Sequence, residues 1–223
     1  MAEKIDAWGS EAITDYEHVF KEFGLKKFPE QFSKNLKHRF FERGIVIAHR
    51  DFEKILECIE KKKPFINLTG IASSGAYHLG HKENIDMFKF FKEQGAKNLF
   101  AVSDIDAYCS RGKIQTLQEA KKFAVENIAD ALALGLEEED IYVQSRKPAS
   151  YYSLAFEISK KITTSTNNAI YGEIDLGKIS ANLLQYADIL HGQLPGFFGK
   201  MPSITGIGLD QDPHARSVRD VAK

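Results

Sequence analysis

From Pro64 onward the sequence alternates short apolar runs with longer amphipathic stretches, and that alternation leaves few folds open. PFINLTG, KNLFAVSD, DIYVQS and MPSITGIGL read as short buried strands. Between them, residues from about His78 to Gln94 place Ile85, Phe88 and Phe91 at helical spacing, and Gly95 closes the pattern. TLQEAKKFAVENIADALALGL carries Leu117, Ala120, Ala124, Ile128 and Leu132 on one stripe and stops at Gly135. GKISANLLQYADILHGQL reads as a third helix, and DQDPHARSVRDVAK opens a fourth. Strands alternating with helices predict an α/β fold, a doubly wound parallel sheet of Rossmann type.

Ahead of this pattern the chain is charged and aromatic, with Phe20, Phe23, Phe28, Phe32, Phe40, Phe41 and Phe52 among lysines and glutamates. It reads as short helices, an N-terminal helical extension over residues 1–62, followed by the sheet domain over residues 63–223. The boundary is ECIEKKKPF, where the solvated run Lys61 to Lys63 meets Pro64, which cannot continue a helix.

Composition excludes several classes. Thirty basic against thirty-one acidic residues give a net charge of −1, so any nucleic-acid contact must come from a local patch. Cys58 and Cys109 form no CxxC pair, which argues against a disulfide framework or a structural zinc site, and no metal ligand is assigned. The N-terminus lacks the apolar core of a signal peptide, and no apolar run is long enough to span a bilayer. A reduced, cytoplasmic protein with no membrane partner is expected, and the sequon at Asn67 is expected to stay unmodified.

The chemistry concentrates where the first strand of the alternation meets its helix, TGIASSGAYHLGHK. In a doubly wound sheet, ligands bind beyond the carboxyl ends of the strands, where loops run into helix N-termini. The loop holds Gly70, Ala72, Ser73, Ser74, Gly75 and Ala76, small residues that let an anion approach backbone N–H groups at the positive end of a helix. His78 and His81 can donate to phosphate oxygens, and Gly80 between them leaves room for a flat ring. The spacing alone also allows a helix cap or half of a metal site. A second segment, GIGLDQDPHARSVRDVA, presents Asp210, which can accept both hydroxyls of a ribose or simply cap the following helix, and Gln211, which can reach a polar head group.

The first of these segments resembles the signature of class I aminoacyl-tRNA synthetases, and is similar to the strand and phosphate loop of their archaeal and eukaryotic tryptophanyl branch, with Ser73 where proline is usual. The second resembles the Gly-x-Asp-Gln strand end of the same branch, and HRFFERGIVIAHRDFEKIL and AIYGEIDLGKISANLLQYADILHGQL extend the likeness over nearly the whole chain. The resemblance implies ATP binding by Gly70, Ser74, Gly75, His78, Gly80, His81, Gly208 and Asp210, with His78 and His81 catalytic. It implies an amino-acid pocket of Leu68, Asp106, Gln185, Asp188 and Gln211. Asp188, one turn after Gln185, can accept an indole N–H or a phenol O–H. Leu68 on the first strand, where tyrosyl enzymes carry a tyrosine, favours tryptophan; against this, Ala101 and Leu68 replace a glutamine and a tyrosine of the eukaryotic branch.

The implied activity is ATP-dependent formation of tryptophanyl-adenylate from L-tryptophan and transfer to tRNA(Trp), with Mg²⁺ carried by the phosphates and a homodimer as the assembly. A tyrosine-specific enzyme of the same class, and a binding module without synthetase activity, are the alternatives. The family's Lys-Met-Ser-Lys-Ser-type loop is expected after the Asp-Gln helix, beyond Lys223, which makes the domain incomplete at its C-terminus; GKMPS at Gly199 to Ser203 precedes that helix and reads as structural.

Overall fold

The β-branched and aromatic run from Phe65 to Ala72 becomes the inner strand of a sheet whose neighbours come from distant parts of the chain. The computed structural model describes residues 16–222; residues 1–15 of the expected extension and Lys223 lie outside them. In chain order the N-terminal part comprises α1 (Tyr16–Phe23), β1 (Lys26–Lys27), α2 (Glu30–Asn35), α3 (Arg39–Glu42), β2 (Ala48–His49) and α4 (Glu53–Glu60). The helices are as short as the sequence suggests, but β1 and β2 pair antiparallel, a ribbon too brief to leave a period in the sequence.

The sheet part follows with β3 (Phe65–Ala72), α5 (Leu79–Glu93), β4 (Ala96–Ser103), α6 (Asp104–Ser110), α7 (Leu117–Ala133), β5 (Ile141–Val143), α8 (Ala149–Ser159), α9 (Thr164–Tyr171), α10 (Leu176–His191), β6 (Ser203–Thr205) and α11 (Asp212–Val221). The four strands run parallel in the order β5-β4-β3-β6. This is the expected α/β architecture. Three differences stand out. DIYVQS and MPSITGIGL contribute only three strand residues each, because both strands lie at sheet edges, paired on one side alone. The helices α6, α8 and α9 fill stretches for which the sequence suggested none. Leu132 is exposed, since the buried stripe of α7 is Ala120, Ala124, Asn127 and Ala131, a 3.6-residue period that leaves Leu132 one position off.

Alternate residues of β3 and β4 face opposite sides of the sheet. Ile71, Phe100 and Val102 pack with Ile85 and Phe88 of α5 and Ala124 and Ala131 of α7. Ile66, Leu68 and Leu99 face the other way, against Tyr142 of β5 and Ile189 of α10. Asn67 is among the buried polar residues on the first face: it is 2% exposed and its amide donates to the Phe88 carbonyl and to Asn98 Oδ1 at 3.2 and 3.0 Å.

The phenylalanines of the N-terminal part bury themselves against the sheet part. Phe32, Phe41 and Phe52 share one core with Phe65 of β3 and Phe90 and Phe91 of α5. Each such ring removed from water contributes about 1.5–3 kcal/mol, so the two parts are bound by a common core as well as by the chain.

Candidate functional site

Strand order locates the site. From β3 the chain moves one way through β4 to β5 and returns to the opposite side for β6, so the order reverses between β3 and β6. In open α/β sheets the crevice beyond the carboxyl ends at such a reversal is where ligands bind. The loop after β3 and the segment after β6 both open there, tied by a hydrogen bond from Thr69 Oγ1 to the Gly206 carbonyl at 3.5 Å.

At the head of α5 the two imidazoles cap the helix reciprocally. His78 Nδ1 accepts the Gly80 N–H, and His81 Nδ1 accepts the His78 N–H, both at 3.2 Å. The rings stack with centroids 3.7 Å apart. Because both Nδ1 atoms accept, each Nε2 carries the ring proton and is the donor left for a ligand. Burial, then the neighbouring His78, holds the His81 pKa below the ordinary imidazole value, which keeps that ring neutral. The helix-cap reading and the phosphate-donor reading are thus compatible. Gly80 serves the cap: a Cβ there would lie 3.1 Å from His78 Cε1, so the flat ring accommodated at this glycine is the protein's own histidine.

The loop itself differs from its expected composition at one end. Gly70 is inside β3, opposite Ala101 of β4, and a Cβ at this position would stand 2.4 Å from the Ala101 carbonyl oxygen. The need for glycine here is strand-to-strand approach. Ser74 and Gly75 are in the loop and half-buried; Asn127 of α7 reaches across to donate to the Gly75 carbonyl at 2.9 Å. The buried Ser73 backbone N–H donates to the Ser103 carbonyl at 3.2 Å, so loop and β4 are joined where proline would have no donor.

Beyond β6, residues Leu209–Gln211 form a single 3₁₀ turn that runs into α11. Asp210 does not cap α11 with its side chain; its Oδ2 accepts the Gln211 side-chain amide at 2.7 Å. A Cβ at Gly208 would meet Asp210 Oδ1 at 2.3 Å, so a side chain there would displace that carboxylate.

Four of the residues expected to line the amino-acid pocket, Leu68, Asp106, Gln185 and Asp188, lie along α6, α10 and the sheet face between them. Asp188 is 4% exposed and sits among donors: Tyr142 and Tyr151 hydroxyls donate to Oδ1, each at 2.7 Å, and Gln144 Nε2 donates to Oδ2 at 2.9 Å. Burial nevertheless pushes its pKa up to about 7, with the three donors opposing and Asp106 adding to the rise. Gln144 joins the two carboxylate residues, because its Oε1 accepts the Asp106 backbone N–H at 2.9 Å. The Asp106 carboxyl accepts Ser110 Oγ at 2.8 Å, and burial raises its pKa as well. Leu68 packs beside Tyr142 on the same face. Gln185 is half-buried on α10, three residues before Asp188, and Gln211 belongs to the separate turn after β6.

Tyr142, Gln144 and Tyr151 were not singled out in the sequence. They converge on Asp188 from β5, the turn after it and α8, and no local spacing announces such a meeting. Below them His191 donates from Nδ1 to the Asp188 carbonyl at 2.8 Å and accepts Lys147 Nζ at 2.8 Å. Burial, then Lys147, takes the His191 pKa down to about 4, and burial lowers that of Lys147 to about 8. Lys147 rests over the rings of Tyr142 and Phe197 at 4.1 and 4.6 Å.

Among the described residues no cluster of three or more His, Cys, Asp and Glu could hold a metal ion, and no helix is long and apolar enough to cross a membrane.

Known proteins share both sequence and fold with this chain. A family model for tRNA synthetases class I (W and Y) matches residues 60–223. The tryptophan–tRNA ligase of Aeropyrum pernix is 38% identical over 231 residues, 99% of this chain and 61% of that protein. That of Archaeoglobus fulgidus is 34% identical over 222 residues, 98% of this chain and 52% of that protein. The chain therefore spans between half and two thirds of the length of these relatives. Among solved structures, tryptophanyl-tRNA synthetase from Aeropyrum pernix K1 superposes with a TM-score of 0.83 at 36% identity, covering 97% of this chain and 61% of that one. The Plasmodium falciparum enzyme gives 0.84 at 30% identity, covering 94% and 61%.

Proposed function

The chain belongs to the class I tRNA synthetases for W and Y, and from that premise we propose that it carries the site at which L-tryptophan is activated by MgATP for transfer to tRNA(Trp). In this reading residues 63–223 are the catalytic unit and residues 1–62 an extension packed on it. The protein works in the cytoplasm, as a homodimer.

The tryptophan carboxylate attacks the α-phosphorus in line and pyrophosphate leaves, so no side chain acts as a nucleophile. His78 and His81 offer Nε2–H donors to the phosphates, joined by the loop backbone around Ser74 and Gly75 and the N-terminus of α5. Mg²⁺ arrives with ATP, held by phosphate oxygens and water. Asp210 takes the ribose hydroxyls, and the backbone at Gly208 leaves the adenosine room. Asp106 and Gln185 face the substrate's ammonium end, Gln211 its polar head group. Asp188 takes the indole N–H on the second lone pair of Oδ2, with Leu68 as an apolar wall.

The observation that carries this reading is the paired capping of His78 and His81, which leaves both ring N–H groups at a helix mouth on the strand-order reversal. Amino-acid-dependent pyrophosphate exchange tests it. Exchange with tryptophan well above exchange with tyrosine or phenylalanine is expected. Tyrosine as the better substrate would transfer the assignment to the tyrosyl branch, and the absence of exchange with any amino acid in the full-length protein would leave a binding module.

A further inference from the structure

The segment after β6 is tied to β3 at Gly206 and from there leads directly into α11. The strand ends at Thr205, and Leu209–Gln211 is a single turn, so the position of Asp210 is inherited from α11, which begins at the next residue. That first residue, Asp212, is 3% exposed and is gripped from the N-terminal part of the chain. Arg50 Nε donates to Asp212 Oδ1 at 3.1 Å, and Nη2 to Oδ1 and Oδ2 at 2.9 and 3.0 Å. The same guanidinium is fixed from behind, Nη2 donating to the Phe23 carbonyl at 2.7 Å.

A neighbouring residue repeats the connection. Asp51 adopts φ 54°, a left-handed conformation that an aspartate tolerates better than most residues, and accepts Arg219 Nη2 of α11 at 2.7 Å. From α11, Arg216 returns toward the N-terminal part, its guanidinium 4.3 Å from the centre of the Phe23 ring. A buried ion pair is a poor source of net stability, because desolvation offsets the attraction. Its planar, two-pronged geometry does fix position. What Arg50 fixes is the start of α11, and with it the turn that presents Asp210.

We propose that Arg50 is a positioning residue for the nucleotide: acting through Asp212, it sets the Gly208–Gln211 turn, so that a segment far outside the sheet helps build the ATP end of the site. This rests on the reading of Asp210 as the ribose contact.

The test uses the full-length protein and pyrophosphate exchange, with KM measured separately for ATP and for tryptophan. Arg50→Ala and Asp212→Asn should each raise the ATP KM about tenfold, and the double variant should be no worse than Asp212→Asn alone, which removes the Arg50 contact together with the pair that Asp212 Oδ2 makes with Arg216 Nε at 3.2 Å. The tryptophan KM should rise less, by about threefold at most, because of the amino-acid residues only Gln211 belongs to that turn, while Asp188 is held by other elements. Millimolar methylguanidinium should lower the ATP KM of Arg50→Ala again. Arg50→Lys keeps the charge and loses the fork, and should show an intermediate ATP KM; it decides the matter should Arg50→Ala fail to fold. An unchanged ATP KM in Arg50→Lys and Asp212→Asn, or equal rises for both substrates, overturns the proposal. Asp210→Ala separates the two readings. If it leaves the ATP KM unaltered, the ribose assignment fails; if it raises that KM while the Arg50 variants do not, only the positioning role fails.

Discussion

The two ends of the site are built in opposite ways. At the head of α5 the two imidazoles are exposed or half-buried, held by two hydrogen bonds of 3.2 Å between residues two and three positions apart and by their own stacking. Around Asp188 the groups are buried and come from three separate elements, with bonds of 2.7 to 2.9 Å. The first end is assembled by a local turn and can be altered with little cost to the fold. The second is part of the core, so its chemistry and its stability cannot be changed independently.

The sharpest way to break that contrast is Asp188→Ala. It strands the Tyr142 hydroxyl and the Gln144 amide, and leaves Tyr151 only the Leu184 carbonyl at 3.1 Å; with each unpaired group costing about 1 kcal/mol or more, urea denaturation should show a loss of about 2 kcal/mol or more together with loss of tryptophan binding. At the other end, His78→Ala should slow adenylate formation by about 10²-fold, the usual cost of one oriented transition-state donor, while stability falls by no more than about 1 kcal/mol, the worth of a helix cap. A large stability loss there would erase the distinction between the two ends.

Acidity sharpens it further. The folded pKa of Asp188, about 7, lies above the ordinary carboxylate value. The unfolded chain therefore releases this proton first as pH rises, and the contribution of Asp188 to stability declines from about pH 4 up to about pH 7 and is level above. Binding runs the other way: an indole N–H needs the ionised acceptor, so tryptophan affinity measured by calorimetry should fall about tenfold per pH unit below pH 7. Asp188→Asn should flatten both profiles. A profile in the parent protein that is already flat would mean that another group receives the ring.

The smallest effect expected is that of Tyr142→Phe. It removes one of the two donors to Oδ1 and leaves Tyr151 in place, so stability should fall by about 1 kcal/mol and the apparent pKa of Asp188 should move upward. Comparison with the Tyr151→Phe variant shows whether the two hydroxyls act as a pair; a double variant costing only as much as either single one would say that they do.

These contrasts also explain what could be read in the sequence. The strands β3 and β4 and the helices α5, α7 and α10 were legible because each is long enough to show its period over several buried residues. The edges β5 and β6 were read as strands too, but longer than the three residues each retains, and β1 and β2, of two residues, are below the length at which alternation is visible. The histidine pair was legible because its geometry is made within four consecutive residues. Asp188 was reached through the family resemblance, one turn after Gln185 on the same helix. Its partners were not, since the meeting of Tyr142, Gln144 and Tyr151 is decided by tertiary packing. Gly70 was read as part of the loop for the same reason: what demands glycine there is Ala101 on another strand.

The sheet order has a last consequence, which concerns the ribosome. The strand β3 is an inner strand, yet its partner Ser203 to Thr205 is made long after it. At about 5–20 residues per second, the edge of Ile66 to Leu68 waits on the order of ten seconds for its second neighbour. During that interval an apolar strand with unpaired N–H and C=O groups is open to any other extended chain. A nascent polypeptide of this design is thus most vulnerable to mispairing before β6 emerges, and most in need of a holding chaperone at the stage when β3, β4 and β5 are already in place.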